Sequence, residues 1–264
     1  MMINKPVIGV AVAVIVVAAG TWYFLQRRHA PPPPTEAQQP APPEPAEPAI
    51  QHPLPEAPAD SAQQAPLPAL ADSDPAINDA LSLVTGSAAA KEYLLPTNII
   101  RHLVVTIDNL PRQKVAVEKR PTTPVAGSFA VVGDELHATL DPQNFARYQP
   151  MVAVISKLDM QRVAGVYVHF YPLFQRAYQD LGYPSGYFND RLVQVIDGLL
   201  ATPQPAGPIE LVRPNVMYLY ADPALESRPA GQKLLIRMGP ENAAAIKAKL
   251  TQLRAAIAAA PPKR

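Results

Sequence analysis

A chain of 264 residues with 33 prolines and no cysteine has room for one or two domains, and the absence of thiols excludes disulfides, thiolate metal sites and cysteine nucleophiles. The formal charge of +1 is unevenly divided: residues 1–29 carry +3, residues 30–76 carry seven acids and no Lys or Arg, and the remainder carries twenty bases against fifteen acids. A net of +5 over that last part is ordinary solubility charge and falls short of a nucleic-acid footprint.

Residues 6–25 have no charged side chain and are dominated by Val, Ala and Ile, about the length an α-helix needs to cross a hydrocarbon core of ~30 Å. Trp22 and Tyr23 suit the headgroup level, and Arg27 and Arg28 follow. The stretch Ala18-Ala19-Gly20 resembles a signal-peptide cleavage site, but the apolar run continues beyond it, so the segment is read as an uncleaved membrane anchor over residues 1–29. Between residues 31 and 75, fifteen of forty-five residues are proline. Such a composition lacks the apolar surface to offset ordering entropy, and residues 30–76 are read as a disordered, polyproline-rich linker reaching on the order of 140 Å when extended.

Residues 77–264 are expected to form one folded domain. Asp74-Pro75 reads as the cap and first residue of a short helix, with a break at Thr85-Gly86-Ser87. Ile100, Leu103, Val104, Ile107 and Leu110 form the stripe of an amphipathic helix that Pro111 stops. A basic, proline-bearing loop to residue 126 leads to a hairpin over residues 129–140, with Gly133-Asp134 as its turn. Asp141-Pro142 starts a helical segment interrupted near Pro150. Residues 163–200 hold eight of the sixteen Phe and Tyr residues, so the core is expected here. Asp159 caps a long helix with Val163, Tyr167, Phe170, Phe174, Ala177 and Leu181 on its buried face and Pro172 inside it. Gly182 ends that helix, and a second one buries Phe188, Leu192, Val195, Ile196 and Leu199. Residues 209–212, 216–220 and 234–238 read as short strands, and a last Ala-rich helix follows Gly239-Pro240. The expected fold class is α+β: a mostly helical domain with a small antiparallel sheet.

The blocks Ile107-Asp108-Asn109-Leu110-Pro111-Arg112, Tyr171-Pro172-Leu173-Phe174-Gln175-Arg176-Ala177-Tyr178, Leu181-Gly182-Tyr183-Pro184 with Gly186-Tyr187-Phe188-Asn189-Asp190-Arg191, and residues 230–239 resemble, in the same order, a proteobacterial family defined by domain of unknown function 3014. The resemblance covers nearly all of residues 77–258. It implies a bacterial, membrane-anchored protein and brings no catalytic residues with it.

The five histidines show no metal-ligand spacing, and neither a nucleophile elbow nor a phosphate-binding glycine loop is present, so no metal site or cofactor is expected. The constellation that stands out is Tyr183, Tyr187, Asn189, Asp190 and Arg191 around the turn between the two aromatic helices, joined by Gln175, Arg176 and Tyr178. Polar groups over an aromatic floor suit a glycan or a peptide. The plainer alternative is that Asp190 serves the start of its own helix and Arg176 pairs with it across the hairpin. The leading expectation is a non-enzymatic interaction or scaffold domain, held in the periplasm by an inner-membrane anchor at residues 6–25, with an envelope protein or peptidoglycan as partner. The alternative is a peptidoglycan hydrolase using Asp190 with another of Glu92, Asp180 and Asp197.

Overall fold

A computed structural model of the chain describes residues 49–55, 66–134 and 137–258. The membrane anchor expected at residues 6–25 lies outside the described residues, as do 30–48 and 56–65 of the expected linker; among the described residues no helix is long and apolar enough to cross a membrane. The described residues all belong to one compact unit, Glu47–Arg264. Two pieces of the proline-rich stretch, residues 49–55 and 66–73, are part of this folded unit, so the linker expected over 30–76 reaches too far. Leu54, Leu67 and Leu70 pack against the main core, and Leu70–Asp72 form a 3-10 turn, because scattered leucines supply the apolar contacts that the composition as a whole lacks.

Ten α-helices and four strands are described. Helices α1 (Asp74–Thr85), α2 (Ser87–Tyr93) and α3 (Ile99–Asn109) come first. Strands β1 (Val131–Val132) and β2 (Ala138–Leu140), the short α4 (Gln143–Ala146) and α5 (Gln149–Lys157) lead to α6 (Met160–Asp180) and α7 (Phe188–Leu200). Strands β3 (Glu210–Val212) and β4 (Leu219–Tyr220) precede α8 (Pro223–Glu226), α9 (Ala230–Arg237) and α10 (Pro240–Ile257). The sheet runs β1-β2-β3-β4, antiparallel throughout, with Val131 opposite Leu140, Ala138 opposite Leu211 and Leu211 opposite Tyr220. The fold is α+β.

The long helix α6 is central: α1, α3, α7 and α10 all pack on it. Asp159 caps it, its carboxylate accepting from the backbone N–H of Gln161 and Arg162, and the helix continues through Pro172 on its solvent side. Tyr167, Phe170, Phe174 and Ala177 are buried as their spacing requires, whereas Leu181 falls just past the helix end and is exposed. Phe174 and Phe188 stack at 5.8 Å, joining α6 to α7. Two smaller cores lie beside this one, the first under the sheet around Leu140, Leu211, Tyr220 and Ile236, the second around Val152, Leu235, Met238 and Ala243.

Two local expectations are corrected. Asp74 does not cap α1; its carboxylate accepts from the N–H of Asn98 and Ile99 and so serves the start of α3, where Asn98 adopts a left-handed φ of 53°. Residues 234–238 are not a strand: 234–237 are the second half of α9 and Met238 is its C-cap. A short apolar run does not distinguish helix from strand by itself. The decision comes from the helix start: the N–H groups of Ala230 and Gly231 find the carbonyls of Arg112 and Leu110, and Gly231 lets the helix approach Leu199, where a Cβ would lie 2.7 Å from Leu199 Cδ2.

Gly182 (φ 112°) and Gly239 (φ 85°) both adopt backbone conformations that favour glycine, but only at Gly239 would a Cβ also strike a core ring, 2.4 Å from Phe145 Cγ. Gly182→Ala is expected to lower stability by roughly 1–2 kcal/mol, and Gly239→Ala by about 1–3 kcal/mol more than that. Urea unfolding of the two variants checks this, and equal losses would mean that Phe145 moves aside freely.

Candidate functional site

The turn between α6 and α7 owes its shape to Gln175. Its side-chain amide donates to the Gly186 carbonyl at 2.6 Å, and its Oε1 accepts from the Tyr171 hydroxyl at 2.8 Å and from the Phe188 N–H at 2.9 Å. One glutamine on α6 thereby satisfies the first backbone donor of α7 and sets where Asn189, Asp190 and Arg191 project.

Three consecutive side chains then go to three places. Arg191 turns toward α3, where Asp108 is buried with only 2% of its side chain exposed. Arg191 Nε and Nη2 each lie 3.0 Å from Asp108 Oδ1, and Nη2 also donates to the Asp108 carbonyl at 2.8 Å. Arg112 Nη2 reaches Asp108 Oδ2 at 2.6 Å, and the Tyr183 hydroxyl donates to the same oxygen at 3.3 Å while accepting from Arg112 at 3.0 Å. Asn189 is fully buried. Its Oδ1 accepts from the Tyr167 hydroxyl at 3.1 Å, and its amide donates to the carbonyls of Ile257 at 3.1 Å and His52 at 2.8 Å. Asp190 faces outward and holds backbone: the Gln51 N–H lies 3.0 Å from Oδ2 and 3.2 Å from Oδ1, and the His52 N–H lies 2.6 Å from Oδ1.

Between these groups opens a polar cavity of about 530 Å³ with Tyr178, Tyr183 and Tyr187 in its wall and Asp190, Arg191 and Asp197 along α7. Tyr178 and Tyr183 stack at 4.5 Å, and burial, followed by the nearby Asp108 charge, raises the Tyr178 hydroxyl above its ordinary pKa. Asp197 pairs with Arg254, whose hydrogen bond draws its carboxyl below the ordinary range. Five of the seven residues singled out in the sequence therefore meet here, Tyr178, Tyr183, Tyr187, Asp190 and Arg191, while Asn189 is buried behind the cavity and holds the carbonyl of His52 in its wall. Arg176 is not among them. It sits two positions, or about 200° of helix, from Tyr178, is exposed, and pairs with Asp180, which also holds Arg101.

Asp108, Arg112, Gln51 and His52 belong to the site and escaped the sequence reading. Asp108 had a legible signal, since it lies four residues after Val104 and eight after Ile100 on a stripe of buried apolar residues, a position a carboxylate occupies only with partners. Gln51 and His52 had none, being embedded in a composition that reads as linker. Of the other acids considered for catalysis, Asp180 and Glu92 lie away from the cavity. Among the described residues no group of three or more His, Asp or Glu side chains is arranged to hold a metal ion. A second cavity of about 530 Å³ is apolar, with Leu140, Phe145, Ile209, Leu235 and Ala243 in its wall and Lys247 at its edge.

Fold and site together define an α+β domain with a tyrosine-walled polar groove that grips polypeptide backbone. The model of the family described as Protein of unknown function (DUF3014) matches residues 99–254, and the chain belongs to that family. No curated protein and no solved structure matches the chain. The matched stretch includes Asp108 and Asn189 to Arg191 but not the docked segment at residues 51–54.

Removing one member of a buried ion pair leaves the other charge uncompensated, so Asp108→Ala, which strands the largely buried Arg191, is expected to cost about 3–5 kcal/mol. Arg112 is 54% exposed, and Arg112→Ala should cost markedly less, because solvent screens its half of the pair. Chemical denaturation of both variants measures the difference; comparable losses would mean that Arg191 does not carry the charge balance of Asp108.

Proposed function

We propose that this protein is a non-enzymatic interaction domain of the bacterial envelope, attached to the inner membrane through residues 6–25 and projected into the periplasm, where it binds another envelope component. The observation that carries this reading is the use the site makes of its polar groups: Asn189 and Asp190 hold two successive backbone N–H groups and one carbonyl of the bent segment at Gln51 and His52. Recognition of main chain by fixed polar side chains is the chemistry of a polypeptide-binding surface.

The carboxylates that border the cavity support the same reading. Glycoside cleavage needs one carboxylic acid kept protonated and a second carboxylate at a set distance from it. Asp108 is held by two arginines and a tyrosine, Asp190 by two backbone amides and Asp197 by Arg254. In each case oxygens that a substrate would need are already engaged, and the Arg254 hydrogen bond holds the Asp197 carboxyl below its ordinary range.

The test offers the purified full chain both intact peptidoglycan sacculi and a detergent-solubilised envelope extract. Retention of a discrete envelope protein, with no soluble sugar released from the sacculi, is the expected result. Release of reducing sugar that Asp190→Ala abolishes would replace this reading with a peptidoglycan hydrolase. A fusion of alkaline phosphatase after Arg264 should be active in cells, and an inactive fusion would move the domain to the cytoplasmic side.

A further inference from the structure

We infer that the pair Asn189 and Asp190 is a receptor for a bent, proline-flanked polypeptide segment of a partner protein, and that residues 51–54 of this chain are its occupant in cis. The inference rests on the interaction reading above and adds to it the chemistry of the ligand and the manner in which access to it is controlled.

The contacts themselves define the ligand. Asp190 accepts from the N–H of Gln51 and of His52, and Asn189 donates to the His52 carbonyl; the side chains of Gln51 and His52 take no part in these bonds. The receptor therefore reads two consecutive residues with free amides and leaves their identity open. The next two positions are constrained. Pro53 biases His52 before it away from helical backbone, and the chain bends at Gln51 and His52, which lets two successive N–H groups face one carboxylate. Leu54 packs against the main core and supplies the apolar anchor. A segment that fits has two non-proline residues at a bend, then proline, then a large apolar residue.

The receptor side is built without help from the segment. Asn189 is buried and fixed by Tyr167 on α6 and by the Ile257 carbonyl at the end of α10, and Gln175 fixes the start of the helix that carries it. With the segment withdrawn, the Asp190 carboxylate and one amide hydrogen of Asn189 are left for another main chain. The polar cavity persists beside the segment, since Gln51 and His52 form part of its wall and do not fill it, so a longer partner has further surface against Tyr183 and Tyr187.

The segment belongs to the same chain as its receptor, and a ligand tethered to its receptor can reach an effective concentration on the order of millimolar. The segment in cis is thus a competitor that a partner must displace, and the receptor is latched until a tighter or multivalent segment arrives.

The experiment uses the full chain in detergent and a fluorescent, acetylated and amidated peptide of residues 49–55, followed by anisotropy. The double substitution Gln51→Pro, His52→Pro removes both cis amide donors and leaves the receptor intact. This variant is expected to bind the peptide saturably and at least about tenfold more tightly than the unmodified chain. A peptide carrying proline at both of those positions should not bind it. Absence of saturable peptide binding to the variant, folded by circular dichroism, would overturn the inference, as would equal binding of the proline-substituted peptide. Should the variant not fold, hydrogen exchange at the Gln51 and His52 amides of the unmodified chain is followed with excess peptide: faster exchange supports displacement, and unchanged exchange overturns it. An envelope partner still captured by a chain that fails these peptide tests would leave the interaction reading standing and remove only the receptor.

Discussion

A carboxylate buried in a protein interior has to be compensated where it lies, and the burial of Asp108 imposes that requirement on the region around it. The compensation comes from Arg191 on α7 and from Arg112 and Tyr183, so one charge ties the end of α3, the α6–α7 turn and the first turn of α7 into a single unit. The consequence is positional. Once Arg191 is drawn to Asp108, helical geometry directs Asp190 to the groove and Asn189 into the junction of α6 and α10.

The apolar framework makes that arrangement stiff. Helix α6 is covered by α1, α3, α7 and α10, and rings at Tyr167, Phe174, Tyr178 and Phe188 meet one another at 5.4–6.4 Å in the tilted and stacked geometries that aromatic pairs favour. Burial raises the hydroxyls of Tyr167 and Tyr171 well above the ordinary tyrosine pKa, so both remain neutral donors to Asn189 and Gln175. The sheet and α9 form a separate layer. There Glu226 takes the Lys233 ammonium and the Tyr220 N–H, and although burial raises its carboxyl these two partners outweigh it and hold it below the ordinary value.

The docked segment at residues 51–54 changes how the proline-rich stretch is understood. Composition describes it as spacer throughout, yet at one point it contributes backbone to the polar groove and a leucine to the core. Proline density and docking are compatible because the groove needs amides from only two residues, and both are non-proline. A stretch that sets distance can in this way also carry a ligand.

The elements that can be read from the amino-acid order are those whose causes are local. The apolar spacing of α3, α6, α7 and α10, the Asp159 cap, the Gly182 exit and the antiparallel pairing of the runs on either side of Gly133 each depend on residues within a few positions of one another, and each is found where that spacing puts it. The candidate site was half legible on the same ground, since Tyr178, Tyr183, Tyr187, Asn189, Asp190 and Arg191 cluster along the chain as well as in space, while Arg176 shows that nearness in sequence does not choose a helix face. The tertiary structure alone decided the partners. Asp108 and Arg191 are 83 positions apart, Gln51 and Asp190 are 139 apart, and α9 is a helix because its first amides meet carbonyls of residues 110 and 112. Propensity and periodicity act over one or two turns, whereas the pairing of a buried charge or an open backbone donor is settled by whichever complementary group the completed fold brings within about 3 Å.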